Sequence, residues 1–356
     1  MIQSDKNKLI NDSLDWYIKN QPVYRQLSNK VEGILKELIE LEKINYHAIS
    51  CRVKEIESFS GKINRKDYKN PHEEITDLAG IRIITYVESE IEFIKKIIEE
   101  NFDINKEKSL DKSSELGIDK VGYKSVHYIA KLKKERLSLP EYSRFENKCF
   151  EIQVRTILQH AWAEIEHDRN YKFSGVLPTE IQRRFMLLAG LLESADREFN
   201  SISLSIDEIS KKVQIATKKG ELDIPINSTS LKEYLTTKFD PLIKVGAENI
   251  FVGNEREKIL LNELNKFGIK TLADLDKLIT SEFINNQIES KNASDSNFSG
   301  LLIDLMVITD YKKYFEKVWT KEHWTIYDRT TGELLKLFGI SLTELSEKYG
   351  VQLEDS

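Results

Sequence analysis

The chain has 356 residues, with 53 Lys and Arg against 59 Asp and Glu and a formal net charge of -6, a balance that excludes a protein whose whole surface coats a polyanion. Its two cysteines, Cys51 and Cys149, have no CxxC or histidine spacing around them, which excludes a disulfide framework and a cysteine-built zinc site. No stretch approaches the roughly 18 apolar residues of a membrane span, no basic segment followed by an apolar core opens the sequence, and the length suits two domains, so a soluble, cytoplasmic, two-domain protein is expected.

In chain order, Leu14, Tyr17, Ile18, Val31, Ile34, Leu35, Leu38, Ile39 and Leu41 recur mostly at three- and four-residue steps. They predict a helical preface within 1–50. From Arg52 to Lys172 the period changes repeatedly. IRIITYV (81–87), SVHYIAKL (125–132) and CFEIQVRT (149–156) read as strands, and 91–101 and 157–168 as helices, so this segment is α/β. After Pro178 a long helix is predicted over 180–213. Phe185, Leu188, Leu191, Leu192 and Ala195 fall on one side of it, to pack against the sheet or a partner.

Beyond about Thr217 the pattern becomes short helices, which divides the chain into 1–50, 51–216 and a mainly α domain at 217–356. Ser230 with Glu233, and Ser341 with Glu344, have the spacing of capping boxes. Segments GIKTLADLDKLI, from Gly268, and GISLTELSEKYG, from Gly339, share a glycine, a short apolar lead, an N-cap and an amphipathic helix. The Ser- and Asn-rich stretch 290–300 reads as an exposed loop.

Three polar groupings in the α/β segment carry chemistry. Arg52, Lys54, Ser58 and Lys62 form a cluster suited to a triphosphate, although on its own the pattern also describes a solvated basic face. In DLAGIR, Asp77 precedes a small-residue turn and Arg82 enters a strand. A carboxylate there can hold magnesium, which calls for one or two carboxylates together with substrate phosphates. Glu151 supplies the second, because alternation in FEIQVRT puts Glu151, Gln153 and Arg155 on one strand face. Three polar side chains on one face need water or a ligand; the plain alternative is a half-exposed sheet. In GYKSVH, Gly122 permits close backbone approach, and Tyr123 and His127 share a face on which a ring would stack on a base. His160, Glu164 and His167 align on the following helix without the HExxH register of a zinc site.

DLAGIRI, GYKSVH and FEIQVRTILQHAWAEIEH, in this order, resemble the synthetase domain of the RelA/SpoT family over about Arg52 to Lys172. The resemblance implies a mixed sheet flanked by helices, related to nucleotidyltransferases, and transfer of pyrophosphate from ATP to the 3′-hydroxyl of GDP or GTP with release of AMP. It implies that Arg52 and Arg82 sandwich adenine, that Lys54, Ser58 and Lys62 contact the phosphates, and that Asp77 and Glu151 hold Mg2+, Glu151 also activating the acceptor. Tyr123 would stack on the acceptor base, with Lys120, His127, Gln153 and His160 on the acceptor side and Arg155 in support.

No long metal-dependent hydrolase domain precedes Arg52, so the resemblance is to a small synthetase with an added domain. Small members are often homo-oligomers. Lys120-Val121-Gly122 departs from the Asn that many members carry near this glycine, and His160 stands where many have another polar residue. An alternative acceptor is therefore the 3′ end of tRNA, as in a toxic branch of the family. Some toxic members carry a YxxY segment in an inhibitory C-terminal domain; here Tyr311 and Tyr314 have that spacing, as they also would on a helix face packing beside Phe315, Val318 and Trp319. The C-terminal domain is expected to regulate activity or assembly.

Overall fold

The computed structural model describes residues 3–111, 125–172, 178–248, 254–319 and 329–351. Two compact units divide between Ser203 and Leu204. The first contains α1 (Gln3–Leu41), β1 (Ala48–Val53), α2 (Ile56–Arg65), α3 (Pro71–Glu74), β2 (Ala79–Thr85), α4 (Glu88–Asn101), β3 (Phe102–Ile104), β4 (Leu110–Asp111), β5 (Val126–Leu132), α5 (Lys134–Leu137), β6 (Phe150–Thr156) and α6 (Ile157–Lys172). A long helix, α7 (Thr179–Lys219), carries the boundary.

The strands form one mixed sheet in the order β1-β2-β6-β5-β3, with β4 also pairing with β5. Strands β2 and β6 run parallel, while β1 with β2, β5 with β6, and β3 with β5 are antiparallel. On β6, Phe150, Ile152 and Val154 are fully buried, so the alternation read from the sequence fixes which face holds Glu151 and Gln153. Ile91, Ile94, Ile97 and Ile98 of α4 join the same core, at the spacing of one helix face.

Two expected boundaries shift. The segment 1–50 is not a preface standing apart: Tyr17, Tyr24, Leu27, Val31 and Leu35 of α1 are buried in the core of the sheet. Strand β1 begins at Ala48, where Ile49 turns inward and its neighbour Ser50 outward. The second unit starts near Leu204 rather than at 217, because the last turns of α7 bring Val213 into its core. Of the side of α7 expected to pack against the sheet or a partner, Phe185, Leu192 and Ala195 are partly buried. Leu188 and Leu191 are exposed, whereas Ala189 and Asp196 are buried.

The second unit is helical: α8 (Ser228–Lys238), α9 (Asp240–Lys244), α10 (Asn254–Phe267), α11 (Leu272–Leu278), α12 (Ser281–Glu289), α13 (Phe298–Lys313), α14 (Arg329–Leu337) and α15 (Leu342–Tyr349). Phe239, Phe283, Phe298 and Tyr314 lie at its centre. Gly268 and Gly339 both take positive φ, +92° and +73°, and the isoleucine after each is buried. Thr271 and Ser341 then cap α11 and α15 as read. Ser230 does not cap: Asn227 is the N-cap of α8, and Ser230 is the third helical residue of the box. The stretch 290–300 is not the exposed loop expected: Ser290, Asn292, Ala293, Phe298 and Ser299 are buried, and the polar groups of Asn292 find partners outside the stretch. Asn292 donates to Gln287 and to Asp304 at 2.9 and 2.8 Å and accepts from Thr331 at 3.0 Å. Among the described residues no helix is long and apolar enough to cross a membrane.

Candidate active site

Strand register gathers the sequence-predicted residues on one sheet face. Ser50 of β1 lies opposite Arg82 of β2, Arg82 opposite Gln153 of β6, and Gln153 opposite His127 of β5. In the neighbouring row Arg52 lies opposite Gly80, and Gly80 opposite Glu151. A Cβ added at Gly80 would stand 3.5 Å from Arg52 Cγ, an ordinary contact, which places the Arg52 side chain over β2.

Asp77 sits just before β2, between two lysines. Lys54 Nζ donates to Oδ2 at 2.7 Å, and Lys62 Nζ, from α2, pairs with Oδ1 at 3.0 Å. Burial would raise the Asp77 carboxyl, but the two ammonium groups outweigh it and hold the group below its ordinary value. Ser58 lies one turn before Lys62 on α2 and is exposed.

Glu151 is held from both sides. His127 Nδ1 lies 2.7 Å from Oε1, and Gln153 Nε2 donates to Oε2 at 3.0 Å. Arg155 Nη2 donates to Gln153 Oε1 at 2.7 Å, extending the chain along the strand. Burial pushes the Glu151 carboxyl up, but the hydrogen bond and charge of His127 together with the hydrogen bond from Gln153 outweigh it, leaving the group below its ordinary value. An ionised carboxylate only accepts, so His127 Nδ1 carries a proton, and Nε2 on the other side of the ring lies 2.8 Å from the Ser125 hydroxyl. Burial, and then the charge of Arg82, lowers the Arg155 guanidinium to about 10.

Arg52, Arg82, Gln153 and Arg155 line a cleft of about 480 Å3 together with Glu164 of α6. Arg82 Nη1 lies 3.0 Å from Glu164 Oε1, and His160 Nδ1 lies 3.8 Å from the same oxygen. Burial, and then the charge of Arg82, lowers His160.

The residues expected at the donor nucleotide and the two carboxylates are thus on or beside one face, as are His127, Gln153 and His160. Lys120 and Tyr123 lie outside the described residues, as does the side chain of His167. Among the described residues no group of three or more His, Cys, Asp or Glu converges as for a metal. The sequence reading missed the pairing of Glu164 with Arg82. Its spacing from His160 singled the residue out, and His160 does lie beside it, but Arg82 is the nearer partner.

Tyr311 and Tyr314 are engaged within the second unit. Tyr314 is fully buried, edge to face with Phe315 at 5.3 Å, and the Tyr311 hydroxyl donates to Glu344 at 3.1 Å. These positions are those of a packed helix face rather than of side chains presented to a ligand.

Residues 51–176 match a family described as the region found in RelA / SpoT proteins. This segment is a RelA/SpoT region. It contains both carboxylates, the cleft and the whole of β5 and β6. The chain is 29% identical over 192 residues to GTP pyrophosphokinase YjbM of Bacillus subtilis strain 168, covering 52% of this chain and 87% of that protein. It is also 29% identical over 160 residues to GTP pyrophosphokinase YwaC of the same strain, covering 44% and 73%. The crystal structure of small alarmone synthetase 1 from Bacillus subtilis aligns with a TM-score of 0.46 at 26% identity, over 55% of this chain and 98% of that one.

Proposed function

We propose that the RelA/SpoT region transfers the β,γ-pyrophosphate of ATP to the 3′-hydroxyl of GDP or GTP and releases AMP. The observation that carries this reading is the arrangement on one sheet face of a cationic cleft, a lysine-paired Asp77 and a half-buried, ionised Glu151. The kinship with two proteins named GTP pyrophosphokinases supports it.

In this reading Arg52 and Arg82 hold the adenine by guanidinium stacking, and Lys54 and Lys62 exchange Asp77 for the phosphates. Glu151 accepts the proton of the acceptor hydroxyl, with His127 and Gln153 fixing its direction. Catalysis then rests on positioning and on neutralising charge as the bond to AMP breaks.

Asp77 and Glu151 fit a magnesium ion. Both carboxyls stay below their ordinary values despite burial, and the charge of Asp77 acts on Glu151 as a repulsion that a cation between them would relieve. Hard oxygens of this kind, completed by phosphate and water, are the donors magnesium takes. When bound, the ion would supply charge neutralisation to the transferred group.

The tRNA 3′ end has no observation in its favour as acceptor. Self-association through α7, whose apolar residues keep an unbroken heptad, and a cytoplasmic setting belong to the same proposal. The test is incubation with β-labelled ATP, magnesium and either GDP or GTP. Label in the guanine nucleotide with stoichiometric AMP is the expected result, and label in neither acceptor would overturn the reading.

A further inference from the structure

A two-purine reaction has a sorting problem: the donor must be adenine although the acceptor is guanine. The donor-side cleft contains an unusual group for this purpose. Among the described residues it is lined by three guanidinium groups, Arg52, Arg82 and Arg155, and by a single carboxylate, Glu164. A carboxylate repels a polyphosphate, so it has no place at the phosphate end of the site. Nor does fold stability account for it. The pair with Arg82 is open, with 54% of the Glu164 side chain exposed, and ion pairs so exposed stabilise little.

What remains for it to meet is the base. Purine corners differ in polarity: adenine carries a 6-amino group, a donor, where guanine carries O6, an acceptor. A carboxylate is an acceptor only, so it can receive a hydrogen bond from the first and is repelled by the second. Glu164 is also bonded to Arg82, the guanidinium that lies against the ring in the proposed function, which places the carboxylate toward the ring edge.

We infer that Glu164 is the specificity-determining residue of the donor site, selecting adenine by accepting from its 6-amino group. The inference rests on the pyrophosphate-transfer reading, which makes this cleft the ATP site. It also gives the Arg82–Glu164 pair a function in the free protein, where the carboxylate holds the guanidinium in place before the base arrives.

The experiment compares binding of ATP with that of purine riboside triphosphate, which lacks only the amino group. Isothermal titration uses the full chain with magnesium and no acceptor, for the wild type, Glu164→Ala and Glu164→Gln. A hydrogen bond to a charged group corresponds to a preference on the order of 10- to 100-fold for ATP in the wild type. The preference should vanish in Glu164→Ala and be partly kept in Glu164→Gln, whose amide oxygen still accepts. Equal loss of affinity for both nucleotides in Glu164→Ala would mean that Glu164 only positions Arg82, and would overturn the inference. So would a wild type without preference. Release of AMP in the presence of GDP, assayed in parallel, separates this failure from that of the parent reading: transfer without discrimination removes Glu164's role alone, and absence of both binding and transfer removes the two together.

Discussion

Both oxygens of Glu151 are already engaged, one by His127 and one by Gln153, so the carboxylate is aimed before any substrate arrives. Glu151→Gln keeps the shape and removes the charge. It should lower AMP formation by about 100-fold or more, the range for a lost general base, while the unfolding midpoint stays near that of the wild type. Labelled-ATP turnover beside thermal denaturation separates the two effects. At this scale the sequence was most legible on β6, because period two alone puts Glu151 and Gln153 on the face opposite buried Ile152 and Val154. It was silent on which groups pair across elements: that Lys54 and Lys62 share Asp77, or that Arg82 finds Glu164, depends on register and on the helix packed above the sheet. The tyrosines of the second unit show the same limit. Their spacing suits an inhibitory segment and a packed face equally, and burial of Tyr314 decides for packing. Tyr314→Ala should cost about 3–5 kcal/mol, the range for emptying an aromatic site in a core. Tyr311→Phe should cost about 1 kcal/mol, the value of its hydrogen bond to Glu344. Chemical denaturation reads both. Raised transferase activity at unchanged stability would restore the inhibitory reading.

Among the elements, α7 is tied to the end of β6 by a buried contact the sequence did not announce: Thr156 Oγ1 donates to Asp196 Oδ2 at 2.6 Å. Asp196 is 1% exposed, and burial raises its carboxyl to about 6 against an ordinary 3.8. For an acid raised on folding, the native state binds the extra proton between these values, so this group's contribution to stability is whole below about 3.8 and falls as pH rises to about 6. Asp196→Asn removes the titration. The stability difference between wild type and variant should therefore change by up to about 3 kcal/mol between pH 4 and 7, the variant gaining relative to the wild type. Denaturant unfolding across that pH range measures it, and a constant difference would mean the carboxyl does not titrate there. Longer elements with one clear period were legible, as α4 and β5 show, whereas β1 was not. Its six residues AISCRV alternate weakly, and the cations that follow drew the reading toward chemistry. Residues 290–300 misled for another reason. Composition signals a loop only where water satisfies the polar groups, and here Gln287, Asp304 and Thr331 do so instead.

For the molecule as a whole, α7 poses the remaining question, since it is long and carries apolar residues that its own units leave open. Ile181, Phe185, Leu188, Leu192, Ala195, Phe199, Ile202, Ile206, Ile209, Val213 and Ala216 follow one another at alternating steps of four and three without a polar interruption. That 3.5-residue period is the pattern of a coiled-coil seam. Val213 is used by the core of the second unit, but Leu188, Phe199, Ile202, Ile206 and Ile209 are exposed. A seam with this period is matched by a helix of the same period, and the same helix in a second copy provides one. Sedimentation equilibrium at micromolar concentration should therefore show a self-associated wild type. Ile202→Glu should weaken association by placing a charge in the seam, whereas a charge at exposed Asp207, off the seam, as in Asp207→Lys, should leave it unchanged. A monomeric wild type, or an Ile202→Glu variant that associates as strongly as the wild type, would remove the seam.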